Sequence, residues 1–253
     1  MITNWPLVFF TVFAQLATGL AFFSWWKDIH DTYPSPRGWY VATGSALVAL
    51  IASLFAFDGM GESWKLVGQA GCLALFLFSA IAMKFGTFWG FWAFAAGVLC
   101  VTGQVIDSIP GEWNTTSGWF SITLFPLCTV VLGAVFSQLV QMGEPEDYEN
   151  HPAGRFYIPL RICLWIMLVI TAIAPIIRWE DTLMAKSAII LMQTQLYWMG
   201  VIFSGVVIGL SHMGRITLLL QAIVAFVSIF GLRTGFFADG IHGIVDMSTL
   251  YMR

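Results

Sequence analysis

Long runs of apolar residues follow one another along this chain, with short polar connections between them. A helix that crosses the hydrocarbon core of a bilayer needs roughly 20 mostly apolar residues. Eight runs meet this requirement, at positions 5–26, 38–57, 65–83, 88–106, 118–142, 156–177, 186–210 and 216–237. The pattern therefore predicts an all-α integral membrane protein, in which eight transmembrane helices form a single polytopic domain over residues 1–253.

The runs are continuous, whereas the strands of a membrane barrel alternate between apolar and polar residues, so helices are favoured. Eight crossings would place both termini on one side of the membrane. Lysine and arginine are divided almost evenly between the two sides, and the first residues carry none, which favours both termini on the outside. Val12-Phe13-Ala14-Gln15-Leu16 in the first run is echoed by Val135-Phe136-Ser137-Gln138-Leu139 in the fifth, as expected of two four-helix halves.

Composition agrees with a lipid environment. The chain is 58% apolar and only 10% charged, while soluble domains are about 25% charged. Its net charge of −3 offers no basic surface for nucleic acid. All four cysteines lie inside apolar runs without a C-x-x-C pair, and all four histidines lie outside the runs. Neither a disulfide framework, nor a metal site, nor a haem held by two histidines is therefore expected in this chain.

Five polar residues in or beside the runs are candidate site residues. Gln15 lies near mid-membrane, where its amide needs a partner on another helix or on a ligand. Asp58 follows the second run, and its alternative role is that of a turn residue before glycine. Gln104 and Asp107 lie near the end of the fourth run, where a solvated helix end is the alternative. Arg233 lies near the end of the last run, and its alternative is an arginine that snorkels to the interface.

Under the eight-span arrangement, these five residues approach one face of the membrane. Polar groups that converge in an apolar surround are typical of a small-molecule pocket. A lipid-soluble quinone fits such a pocket, because its ring oxygens need hydrogen-bond donors and its oxidation needs a proton acceptor. The polar pattern therefore indicates a quinol-binding site.

Three stretches of the chain carry a family resemblance. They are the first run from Trp5-Pro6-Leu7-Val8-Phe9-Phe10 through Gln15 and Gly19, the segment Val105-Ile106-Asp107-Ser108-Ile109-Pro110 with Trp119, and Gly231-Leu232-Arg233-Thr234-Gly235-Phe236-Phe237 with His242 and Met247. In these stretches the chain resembles the membrane anchor subunit of bacterial dimethyl sulfoxide reductases. The resemblance implies a multi-pass protein of the bacterial inner (cytoplasmic) membrane. The outside that the charge distribution favours for both termini is then the periplasm.

The resemblance also implies a function and partners. Such an anchor oxidises menaquinol and passes the electrons to an iron–sulfur electron-transfer subunit, which contacts a molybdopterin catalytic subunit. The iron–sulfur clusters and the molybdopterin belong to these partners, and the anchor itself holds no redox cofactor. The family has a histidine shortly after its second span. Asp58 stands roughly at that place here and would serve as the proton acceptor.

Other interpretations stay open at this stage. A divergent anchor would serve another molybdoenzyme that reduces a different sulfur, nitrogen or metalloid oxide. A secondary transporter or small-solute permease is the alternative function, but Pro126 and Pro175 interrupt only the fifth and sixth runs, not matching positions in two halves. A structural or assembly protein without a site is the third possibility.

Overall fold

The regular secondary structure of the described residues is entirely helical. The computed structural model describes residues 5–30, 36–56, 63–83, 86–108, 116–140, 152–177, 194–211 and 217–250. Within these ranges it describes the backbone but not the side chains at 30, 63–64, 107–108, 116–121, 152–160, 175–177 and 236–250. The helices in these ranges are α1 (Trp5–His30), α2 (Pro36–Ala56), α3 (Ser63–Ala82), α4 (Phe88–Ser108), α5 (Thr116–Val140), α6 (Pro152–Ile177), α7 (Gln195–Ser211) and α8 (Leu218–Leu250).

Each helix overlaps one predicted apolar run, and the ends agree within four residues except at the start of α7 and the end of α8. α8 continues to Leu250, although its apolar run ends at position 237. Hydropathy shows where a lipid-facing surface ends, while a helix continues as long as its backbone hydrogen bonds are made. α7 begins at Gln195 after a non-helical Thr194, and positions 186–193 of the seventh predicted run lie outside the described residues.

Six of the helices, α1 to α5 and α8, are long and apolar enough to cross a membrane. Shorter apolar segments lie in α6, at Arg161–Ala174, and in α7, at Gln195–Ser211. Large apolar side chains such as Phe55, Phe78 and Phe88 are exposed on the outward faces of the helices. An exterior of this kind is stable in lipid and not in water, so the structure indicates a multi-pass membrane protein.

The helices pack as two four-membered rings. In the first ring α1 packs on α2, α2 on α3, α3 on α4, and α4 again on α1. In the second ring α5 packs on α6, α6 on α7, α7 on α8, and α8 again on α5. The main contact between the rings joins α1 to α5, and α1 also packs on α8. The first helix of each ring is therefore central to the molecule.

Two glycines let α1 and α5 approach each other closely. A Cβ atom built on Gly19 would lie 2.9 Å from the Cα of Gly133, and the carbonyl oxygen of Thr129 would be closer still. Membrane helices lack a hydrophobic force that drives them together in lipid, so small residues at such crossings allow the backbones to pack directly. The rings are joined at this crossing.

A second seam of small residues joins α7 to α8. A Cβ atom on Gly231 would lie 3.0 Å from the backbone nitrogen of Gly200. The Ser204 and Ser228 hydroxyls lie 3.0 and 2.8 Å from the carbonyl oxygen of Gly200, and 2.7 Å from each other. This close contact positions the part of α8 that carries Arg233.

Candidate functional site

Arg233 is a charged side chain that is buried inside an apolar helix. It lies on α8 inside the apolar segment Leu218–Gly235, and its side chain is completely buried, with 0% exposure. Its guanidinium lies over the ring of Phe125 on α5, with the central carbon 3.3 Å from the ring centroid. Such a cation–π contact favours the charge but satisfies no N–H group. All three guanidinium nitrogens lack a hydrogen-bond partner among the described residues.

Local packing explains why Arg233 points into the protein. Gly231 and Gly235, two residues before and after it, lie against α7, where a Cβ atom on Gly235 would be 2.7 Å from the Cβ of Tyr197. α7 therefore closes over this part of α8. The side chain of Arg233 instead extends towards α5, where the thiol of Cys128 is a neighbour of the guanidinium. A thiol is only a weak acceptor, so the five N–H donors still need an acceptor.

The burial of Arg233 does not fit the alternative of a snorkelling arginine. A snorkelling side chain keeps its charged head in water, whereas the side chain of Arg233 is completely buried. Arg233 lies two residues before the end of the apolar segment Leu218–Gly235, and its guanidinium meets Phe125 and Cys128 of α5.

No described carboxylate is positioned to balance this charge. Among the acidic residues, only Asp28 has a described side chain, and Asp28 lies near the far end of α1. Trp5 and Phe9, at the start of α1, contact Phe230 on α8, so Arg233 belongs to the part of α8 that is level with the start of α1. A buried charge without a partner is strongly unfavourable in an apolar surround. The N–H groups of Arg233 thus have the chemistry that suits an anionic or carbonyl oxygen.

Gln15 is also completely buried, and neither its amide nitrogen nor its amide oxygen has a hydrogen-bond partner among the described residues. It lies three residues before Thr18, which touches Gly97 of α4, and four before Gly19, which touches α5. Residues three and four apart are neighbours on a helix surface. The amide of Gln15 therefore points into the junction of α1, α4 and α5.

Gln104 belongs to the same region. It is seven residues after Gly97 and so lies on the face of α4 that meets α1. Its amide nitrogen donates to the thiol of Cys100 at 3.8 Å, while its amide oxygen has no partner among the described residues. The structure thus brings Gln15 and Gln104 to one helix junction.

The remaining predicted site residues are only partly covered by the structure. Asp107 lies in the last turn of α4, and its side chain is outside the described part of the chain. Asp58 lies outside the described residues altogether. The four histidines also lack a described side chain, so the prediction that no haem is held by histidines stays a prediction. No group of three or more metal-ligating side chains occurs among the described residues.

The described structure places the predicted site residues at different helix contacts. The guanidinium of Arg233 lies over Phe125 of α5, while Gln15 and Gln104 lie where α1 meets α4. The Phe13 ring of α1 faces Phe226 of α8, on the side of α1 away from the Thr18–Gly97 contact with α4.

Sequence reasoning missed a buried arginine and a buried carboxyl group. Arg161 on α6 is buried, and it donates to the amide oxygen of Gln138 and, at 3.5 Å, to the carbonyl oxygen of Ser211. The carboxyl group is that of Asp28, which accepts a hydrogen bond from the indole of Trp39 at 2.7 Å. Arg161 lies within the sixth predicted run, and a charge inside an apolar run was the signal that identifies it.

No protein-family model matches the sequence, and no curated protein matches it either.

Proposed function

We propose that this chain is the quinol-oxidising membrane anchor of a respiratory molybdopterin oxidoreductase of the dimethyl sulfoxide reductase type. In this proposal all eight apolar runs cross the bacterial inner membrane. Menaquinol is the electron donor, an iron–sulfur subunit receives the electrons, and a molybdopterin subunit reduces the terminal acceptor. The resemblance of the first run, of the segment around Asp107 and of the end around Arg233 supports this assignment.

The observation that carries the proposal is the guanidinium of Arg233, which is buried in the apolar interior with no hydrogen-bond acceptor among the described residues. A quinol oxygen is an acceptor of the required kind, and the Phe125 ring beside the guanidinium offers an aromatic surface. Because a cation stabilises negative charge, Arg233 favours the anion that forms when a quinol hydroxyl loses its proton.

Oxidation of the quinol releases two electrons and two protons and leaves the quinone. The electrons pass to an iron–sulfur cluster of the partner, and the protons pass to solvent. Asp58 and Asp107 are the proposed proton acceptors, on sequence grounds alone. Gln15 and Gln104 are neutral, and Arg233 is the charged donor among these side chains, so we restrict the proposed quinol contact to Arg233.

The test uses the complex purified in mild detergent, with wild-type chain and with Arg233→Met. Loss of a hydrogen bond from a charged donor costs about 1.5–3 kcal/mol, which corresponds to a roughly 10- to 150-fold lower rate. We expect menaquinol-dependent turnover to fall by this factor. Turnover with an artificial donor that reduces the partner subunits directly should not change.

Arg161→Met is the matched control, because it removes a second buried arginine that already has protein partners. It should lower stability while leaving menaquinol turnover per assembled complex unchanged. Wild-type menaquinol turnover in Arg233→Met would remove this residue from the quinol site. Purification of the wild-type chain without stoichiometric molybdenum and iron would refute the function itself.

One observation favours a secondary transporter as a second candidate. Two four-helix rings joined through their first helices resemble the repeated halves from which many transporters are built. Uptake of a solute into proteoliposomes that contain this chain alone would establish that function.

A further inference from the structure

The junction of α1, α4 and α5 contains buried amide groups that the protein does not satisfy. Gln15 has two N–H donors and an oxygen acceptor, and Gln104 has a second oxygen acceptor, none of which has a hydrogen-bond partner among the described residues. Both side chains are at least 97% buried. An unsatisfied amide is especially unfavourable in the membrane interior, because no bulk water reaches it.

The packing register between α1 and α4 shows how far apart Gln15 and Gln104 lie along the helix axes. Thr18 meets Gly97, Phe22 meets Phe94 and Trp25 meets Phe91, so the residue numbers of each pair add up to nearly the same value. Continued towards the start of α1, this register places Gln15 beside Cys100 and Val101. Gln104 lies one helical turn further, about 5 Å along the axis.

An axial offset of one turn between two long side chains leaves room for one intervening water molecule. Two groups bridged by a single water lie about 5–6 Å apart, twice a normal hydrogen-bond length. Water has two donors and two acceptor positions, so one molecule can donate to the amide oxygens of Gln15 and Gln104 and accept from the Gln15 amide nitrogen.

The surrounding residues suit an internal water. Gly97 contributes no side chain, and a Cβ atom there would lie 2.6 Å from the Thr18 hydroxyl oxygen. The hydroxyls of Thr11 and Thr18 lie on the same face of α1 as Gln15 and donate to the backbone carbonyls of Val8 and Ala14, at 2.9 and 2.8 Å. Their oxygens keep acceptor positions for further hydrogen bonds.

We propose that ordered water occupies the junction of α1, α4 and α5 and bridges Gln15 to Gln104. The proposal does not rely on the quinol contact at Arg233. It makes the two glutamines a water-mediated link between helices within the membrane interior.

The test measures oxidation of Cys100 by hydroxyl radicals produced by X-ray radiolysis, with the full chain in nanodiscs. Bound water near a buried side chain is the source of the radicals that label it. Cys100 is buried and contacts Gln104, so we expect it to be oxidised in the wild-type chain. In the double variant Gln15→Leu, Gln104→Leu, its oxidation should fall at least threefold.

Cys128 is the matched control, since it is equally buried but lies beside Arg233, and its oxidation should be the same in both chains. Unlabelled Cys100 in the wild-type chain, or equal labelling in the double variant, would overturn the proposal. If the double variant does not fold, the test rests on the wild-type labelling of Cys100 and on the melting temperatures of Gln15→Asn, Gln104→Asn and their combination. Shifts in melting temperature that add up in the combined variant mean that the two side chains share no water, and non-additive shifts support the shared water.

Discussion

Replacement of Gly19 by alanine tests the crossing that joins the two four-helix rings. The added methyl group would lie 2.9 Å from the Cα of Gly133 and even closer to the backbone oxygen of Thr129. Both neighbours are backbone atoms, so no side chain can rotate away to make room. The helices α1 and α5 must therefore move apart.

The size of the effect follows from this geometry. Non-bonded carbon atoms pack best at about 3.5–4.0 Å, so the helices must separate locally by roughly 1 Å. A gap of about that width removes a quarter to a half of the dispersion energy of each contact along it. Overpacking of this kind typically costs about 1–3 kcal/mol. For a protein of this length the melting temperature should fall by about 2–12 °C.

Thermal unfolding in one detergent, at one scan rate, is the assay. Gly71→Ala on α3 and Gly205→Ala on α7 are matched controls, because nothing lies within 4 Å of a Cβ atom at either position. They should melt at or slightly above the wild-type temperature. Gly133→Ala should behave like Gly19→Ala. The reasoning is refuted if Gly19→Ala melts with the two controls.

Substitutions at three further positions each probe one side-chain hydrogen bond, and all are measured by the same melting assay. Gln138→Leu removes the amide acceptor of the Arg161 guanidinium and should destabilise the protein by about 1–3 kcal/mol, whereas Gln138→Glu should retain most of the stability. Trp39→Phe removes the indole donor to Asp28 and should cost about 1–2 kcal/mol, and an unchanged melting temperature would show that this hydrogen bond is not made. Tyr197→Phe removes the hydroxyl that donates to a backbone carbonyl of α6 and should cost about 1 kcal/mol, with no loss if water replaces that donor.

Hydropathy predicted eight helices at approximately the observed positions, and six of them are long and apolar enough within the described residues to cross a membrane. A lipid environment requires long apolar segments that satisfy their own backbone hydrogen bonds, so the signal is present in each segment without reference to its neighbours. The same argument failed at the end of α8, because the helix continues to Leu250 beyond its apolar part. The identity of the helix neighbours was likewise not in the hydropathy pattern.

Arg161 and Arg233 show most clearly what the sequence determined and what it left to the tertiary structure. Both are arginines inside apolar runs, and from the sequence each is simply an energetically unfavourable charge in a membrane segment. The packing of α6 against α5 brings Gln138 to Arg161, while the packing of α8 places Arg233 over Phe125 with no acceptor among the described residues. Apolar length is a property of one segment, whereas a hydrogen-bond partner is supplied by a distant one. For this reason only the folded arrangement distinguishes the paired arginine from the candidate site.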